Sequence, residues 1–275
     1  MGLAFERHGS GPPLVLLHGV GHRRQAWGAV LERLTPHRDV VLVDLPGHNE
    51  SPPLETAGRP VVEAVLDPVL ELLDELGLER PHIAGNSLGG RLSLEAGVKG
   101  RAATVTALSP AGFWSGNRAA GRALVIFKIM EFAAARTQRL APALSRSTAG
   151  RALVYGAIVS RPSRVSPEQT QGDMAAFLAA RPALDEIVRG MTQFTGHVPA
   201  DVPVTIGWGT RDRLLAPRQA LVAKARVPHA RLTLLPGCGH APMTDDPELV
   251  ADVLLRGSAA QAPSRELTDP SPAGP

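Results

Sequence analysis

The sequence predicts an α/β fold: a mostly parallel central sheet flanked by helices, with one helical insertion. Three observations predict it. Short runs rich in β-branched residues alternate with longer stretches of helical periodicity, the pattern of strands joined by crossover helices. The runs are apolar throughout, as strands covered on both faces require. The rhythm breaks once, over residues 112–198, where only Ala-, Arg- and Leu-rich helical stretches occur.

Taken in order, residues 1–11 are expected to form antiparallel edge structure. Residues 14–17 form a strand that ends at His18-Gly19, and residues 39–43 form a second that closes at Asp44-Leu45-Pro46-Gly47. Strands at 82–84 and 102–108 lead into Gly85 and into Ser109-Pro110; strands at 202–208 and 231–235 complete the set. Between them, Val62, Val65, Leu66, Val69, Leu72, Leu73 and Leu76 fall at helical spacing over 61–76, and Gly77 stops that helix. Shorter helices are expected over 88–98 and 218–225, with 122–140 the clearest helical stretch of the insertion. Asp246-Pro247-Glu248 supplies an N-cap, a proline in the first turn and a favourable carboxylate, opening a helix to about Leu255. Residues 1–111 and 199–257 are therefore read as a discontinuous core, 112–198 as a lid, and the proline-rich 258–275 as a disordered tail.

Composition narrows the function. The chain has 275 residues, 44 % hydrophobic and 20 % charged, enough for a deep core without staples. Its single cysteine, Cys238, excludes an internal disulfide framework and a multi-cysteine zinc site. There is no apolar run of about 18 residues to span a membrane and no secretory leader pattern at the start, so a cytoplasmic protein is expected. Net charge is +3, the basic residues are scattered and aromatics are only 4 %, which argues against nucleic acid as a partner.

The chemistry concentrates at Gly85-Asn86-Ser87-Leu88-Gly89-Gly90, where a strand meets a helix. This is the G-x-S-x-G elbow, a tight turn that projects the serine hydroxyl from the carboxyl end of a sheet. Gly85 and Gly89 let strand and helix pass without Cβ clashes, and the following helix aims its N-terminal N–H groups at the reaction centre. Three further features join it. His18-Gly19-Val20 follows the first long strand, making the backbone N–H groups of Val20 and Leu88 the expected oxyanion donors. Asp212 follows the strand at 202–208, and His240 follows the last strand. The order Ser87, Asp212, His240 is that of a hydrolase triad, each member at a strand's carboxyl end.

With these motifs the sequence resembles the α/β-hydrolase superfamily with a lid domain. The matching segments are LLHGVG at 16–21, DLPGH at 44–48, GNSLGG at 85–90, GTRD at 209–212 and GCGH at 237–240. One departure stands at Asn49, where family members commonly carry glycine; asparagine tolerates left-handed angles nearly as well, so a local change is expected. The resemblance implies a serine hydrolase of a small to medium apolar ester or thioester, working through an acyl-enzyme, with neither cofactor nor metal. Ser87 argues against the aspartate-dependent relatives that open epoxides or displace halides. Asn86-Ser87 looks like the pair of C–C bond hydrolases, while Val20-Gly21-His22-Arg23-Arg24 replaces their Gly/Pro-rich turn. A non-catalytic ligand-binding or signalling protein on the same fold is the alternative from another class.

Other residues take plainer roles. Asp44 is expected to hold the turn before Pro46, and Asp245 and Asp246 to cap the last helix. Cys238 is expected to be a buried structural thiol. His8, His22, His37, His48, His82, His197 and His229 share no metal-ligand spacing with carboxylates or cysteine. Of the insertion's aromatics, Phe113, Trp114, Phe127, Phe132, Tyr155, Phe177 and Phe194, most are expected to pack and two or three to line an acyl pocket. The insertion carries eleven basic residues against five acidic ones, compatible with an anionic partner or with a solvated arginine-rich surface.

Overall fold

The computed structural model describes residues 2–114 and 116–259. The first half of the core runs β1 Phe5–Gly9, β2 Pro13–Leu17, α1 Gly28–Leu34, β3 Asp39–Val43, α2 Val61–Glu75, β4 His82–Asn86, α3 Leu88–Val98 and β5 Thr104–Leu108. The insertion follows with α4 Asn117–Thr137, α5 Ala141–Arg146, α6 Thr148–Tyr155, α7 Pro167–Ala179 and α8 Arg181–Gly190. The chain then returns through β6 Val204–Gly209, α9 Gln219–Arg226, β7 Arg231–Leu235, α10 Pro242–Asp245 and α11 Pro247–Ala259.

The strands form one sheet in the order β1-β3-β2-β4-β5-β6-β7. At its edge β1 pairs antiparallel with β3, and all the other pairings are parallel. Side chains alternate between faces along each strand, so both faces need cover. Val15, Leu17, Val41, Val43, Ile83 and Val105 pack with Val65, Val69, Leu73 and Leu92 of α2 and α3. Leu14, Leu16, Val40, Leu42 and Ala84 pack with Val30, Leu34, Val250 and Leu254 of α1 and α11.

Most elements lie where their residues predict, and the departures have local causes. β4 runs two residues past the expected end, so its ladder reaches Asn86, one residue before the elbow serine. β6 starts at Val204 because Pro203 lacks the N–H a ladder needs. α11 extends to Ala259. Within it Ser258 is buried; its hydroxyl donates to the Leu254 carbonyl at 2.8 Å and accepts from Arg38 Nε at 2.9 Å. Ser258 thus belongs to the helix and not to the expected tail, whose residues 260–275 lie outside the described residues.

The parallel strands all deliver their carboxyl ends to one edge, and the insertion leaves β5 and re-enters β6 there. Its base is tied to α3, the helix that follows the elbow. The Arg91 guanidinium donates to the Thr192 carbonyl at 2.8 Å and lies 5.2 Å from the centroid of the Phe194 ring, which packs against Phe113. Within the insertion Glu131 accepts from Lys128 at 2.9 Å and from Arg181 at 2.6 Å. No helix among the described residues is long and apolar enough to cross a membrane.

Candidate active site

Ser87 sits between β4 and α3 with φ 55° and ψ −112°, in a region that a side chain adopts only when its surroundings demand it. Those surroundings are explicit. The Ser87 N–H donates to Leu108 at the end of β5 at 2.9 Å, and the Gly89 N–H donates to His18 at the end of β2 at 3.1 Å. A Cβ on Gly85 would fall on the Gly89 carbonyl, and one on Gly89 would fall on the Leu17 carbonyl. A Cβ on Gly19 would lie 3.2 Å from that of Ser87. Strand, loop and helix cross too closely at this point for any larger residue.

The loop after β2 is held by two buried histidines. His18 Nε2 accepts the Leu45 N–H at 3.0 Å while Nδ1 faces the Gly19 carbonyl at 2.8 Å. His48 Nε2 accepts the Gly21 N–H at 3.0 Å while Nδ1 faces the Pro46 carbonyl at 3.0 Å. These partners assign each ring as the neutral Nδ1–H tautomer, and burial accordingly lowers both their pKa values. Together they clamp the turn Gly19-Val20-Gly21-His22, closed by the His22 N–H on the Gly19 carbonyl at 3.1 Å. Neither the Val20 nor the Leu88 N–H is committed to a backbone acceptor among the described residues, and both residues line a cleft with Ser87.

Asp212 and His240 meet as their strands deliver them. Asp212 Oδ2 lies 2.8 Å from His240 Nδ1, while Oδ1 accepts the Leu214 and Leu215 N–H groups at 2.9 and 2.8 Å. The carboxylate is buried with its acceptor capacity in use, so it holds one orientation. His240 Nε2 is buried and makes no hydrogen bond; it lines a small chamber of about 30 Å³ together with Ser87. Asn86 joins the two loops: its Nδ2 donates to the Leu108 carbonyl at 3.1 Å and to the His240 carbonyl at 2.8 Å.

Several secondary expectations change. Asp246 caps α11 through the Leu249 N–H at 3.2 Å, as expected, but Asp245 does not cap. Fully buried, it accepts from Gly239 N–H at 2.7 Å, Arg161 N–H at 2.6 Å and Ser160 N–H at 3.0 Å. It therefore ties the residue before His240 to the segment joining α6 to α7. Ala241 N–H completes this seam by donating to the Ile158 carbonyl at 2.9 Å. His22, which lacks any ligand spacing, lines the chamber beside Ser87 and His240, and burial lowers its pKa. Only the tertiary fold exposes that placement; the signal in the sequence is its position two residues after Val20.

Asp44 holds its turn more extensively than expected. It accepts the Arg24 N–H at 2.7 Å and Asn49 Nδ2 at 2.8 Å, and pairs with the Arg24 guanidinium. Asn49 itself takes φ 46°, so the departure from glycine stays local. Burial pushes the Cys238 thiol up to about 11, as suits an inert structural residue. No three His, Cys, Asp or Glu residues among those described could together hold a metal ion.

Two larger spaces adjoin the chamber. A cleft of about 80 Å³ is lined by Val20, Ser87, Leu88, Trp114, Phe127 and Met191 among others. A cavity of about 500 Å³ is lined mainly by α4, α6 and α7, including Met130, Ala134, Tyr155 and Phe177. Of the insertion's aromatics, Trp114, Phe127, Tyr155 and Phe177 thus face these spaces. Phe113 and Phe194 pack, and Phe132 is 61 % exposed.

Comparison with known proteins places the chain in a family. The chain is 28 % identical over 272 residues to an uncharacterized protein of Mycobacterium tuberculosis, covering 92 % of this chain and 77 % of that one. It is 26 % identical over 257 residues to Lipase 1 of Psychrobacter immobilis, covering 88 % and 75 %. In fold it is similar to a 2-hydroxy-6-oxo-6-phenylhexa-2,4-dienoate hydrolase of Rhodococcus sp., with TM-score 0.71, 21 % identity and coverage of 94 % and 99 %. A family model described as alpha/beta hydrolase matches residues 14–253, so the chain belongs to the alpha/beta hydrolase family.

Proposed function

We propose that the chain is a serine hydrolase that cleaves a small to medium apolar ester or thioester through an acyl-enzyme. The observation that carries the reading is the Asp212–His240 pair at 2.8 Å, whose free Nε2 shares a chamber with Ser87. Ser87 Oγ attacks the carbonyl carbon as His240 Nε2 takes its proton, and Asp212 holds the imidazole tautomer and steadies the imidazolium. The oxyanion forms against the Val20 and Leu88 N–H groups, held ready by the His18–His48 clamp and the elbow. His240 returns the proton to the leaving group, and water then attacks the acyl-enzyme with His240 as base. Ser87 Oγ and His240 Nε2 make no hydrogen bond with each other; in catalysis such bonds often tighten only around substrate. Residues 112–198 act as the lid, closing the apolar spaces above the core, and no step calls on a cofactor.

The same triad would serve an activated C–C bond. Asn86, the residue shared with such enzymes, is here occupied by the Leu108 and His240 carbonyls, which explains it without that chemistry. A fluorophosphonate should label Ser87, and a panel of p-nitrophenyl esters should be turned over by the wild type and not by Ser87→Ala. Tight ester binding without turnover would instead support a ligand-binding protein.

A further inference from the structure

Which half of the substrate enters which space follows from where the proton must go. The small chamber holds both Ser87 and His240, and it shares His22, Met130, Ile158 and Phe177 with the 500 Å³ cavity. The 80 Å³ cleft includes Ser87, Val20 and Leu88, but not His240. Val20, Ser87, Phe127 and Leu214 border cleft and chamber alike, whereas Leu88 lines only the cleft.

When the tetrahedral intermediate collapses, the bond between the carbonyl carbon and the leaving oxygen or sulfur breaks, and His240 Nε2 gives that atom the proton taken from Ser87. The leaving atom must then lie within hydrogen-bond reach of Nε2, on the chamber side. With Ser87 Oγ bonded to the carbon and the oxyanion turned to Val20 and Leu88, the remaining substituent is the acyl chain. Its free direction is the cleft.

Resting on the acyl-transfer reading, we propose that the 500 Å³ cavity receives the leaving alcohol or thiol and the 80 Å³ cleft receives the acyl chain. The enzyme is thereby selective for short-acyl esters or thioesters of bulky apolar alcohols or thiols. The volumes set which half is longer. A cavity of about 150 Å³ takes a benzene ring, and the cleft at about 80 Å³ is smaller still, so it takes the shorter half. The larger space falls within the range of about 300–1,000 Å³ that accepts drug-sized ligands. Its walls suit an apolar group: Asp173, its one carboxylate, is already engaged by the Tyr155 hydroxyl at 2.8 Å and Arg23 Nε at 2.9 Å.

Octyl acetate and ethyl octanoate are isomers with the ester linkage reversed, so they share size and hydrophobicity and differ only in which half is long. The wild type should hydrolyse octyl acetate with kcat/KM about tenfold or more above ethyl octanoate. Met191→Ala, which lengthens the cleft, should lower that ratio by favouring ethyl octanoate. Ala134→Phe, which fills the cavity, should lower it by penalising octyl acetate. A wild-type ratio at or below unity, or two variants that leave the ratio unmoved, overturns the assignment. If Ser87 still reacts with a fluorophosphonate, the acyl-transfer reading survives that result. Hydrolysis of neither isomer overturns the assignment as well, and it overturns both readings if Ser87 also resists the fluorophosphonate.

Discussion

At the scale of single residues, most buried polar atoms around the candidate site have partners, with His240 Nε2 and His22 Nδ1 as exceptions. Asp212 has its oxygens spent on His240 Nδ1 and two N–H groups. Asp212→Asn would replace an acceptor with a donor and favour the wrong tautomer, so kcat should fall by about 10⁴-fold with the fold retained. Ser87→Ala and His240→Ala should each cost a similar factor, and the double variant little more, because the groups act as a unit. Single-turnover kinetics on an activated ester decides this; additive losses would remove the triad assignment. A second expectation concerns the clamp. His18 and His48 accept N–H groups in the fold, and burial disfavours their charged forms, as it does those of His22 and His82, which add to the same profile. The unfolded chain binds those protons near pH 6.5, so stability is complete above that value and falls as pH drops below it. The slope should reach up to about 1.4 kcal/mol per pH unit for each ring. Urea titrations between pH 7 and 5 should show it, since carboxylates remain largely ionised there; a flat profile would mean that the rings are already charged in the fold.

At the scale of elements, the elbow and the seam behind His240 hold the site's shape. Gly85→Val and Gly89→Val would each drive a side chain into a backbone carbonyl, so either should cost enough stability to prevent accumulation of folded protein. Gly58, whose Cβ would meet nothing within 4 Å, is the control: Gly58→Asn should fold. Asp245 joins the segment between α6 and α7 to the His240 loop. Asp245→Ala leaves the N–H groups of Ser160, Arg161 and Gly239 without an acceptor, a loss of about 2–5 kcal/mol. Urea melts give that figure, and kcat should fall in the fraction that stays folded because Gly239 precedes the base. Unchanged stability would show that solvent satisfies the three donors.

For the whole molecule, charge is divided between core and insertion. Eleven basic and five acidic residues lie in 112–198, and Glu131 and Asp173 are consumed internally by Lys128, Arg181 and Arg23. The positive excess of the insertion is expected to raise kcat/KM for an ester carrying a distal carboxylate and to leave an uncharged ester of the same size untouched. Raising salt from about 0.01 to 0.15 M shortens the Debye length from roughly 30 to 8 Å, so the anionic ester alone should slow. Parallel salt profiles would assign the arginines to surface solvation.

The parallel strands, the elbow, the crossover helices α2, α3 and α9 and the order of Ser87, Asp212 and His240 were legible in the sequence, whereas α1 was not. Each depends on local rules: alternation, apolar runs, glycines at a crossing point and residues that follow strand ends. Parallel strands bring every carboxyl end to one edge, and there Asp212 lies 2.8 Å from His240 Nδ1. Tertiary structure alone decided the rest. The role of Asp245 depends on a segment more than eighty residues away, and no local pattern separates it from the neighbouring cap Asp246. His22 enters the chamber only because two buried rings fix the turn before it. The sizes of the cleft and cavity arise where α4, α6, α7 and α8 pack over the core. Such spaces depend on the relative placement of elements distant in the chain, and residue periodicity carries no information about that.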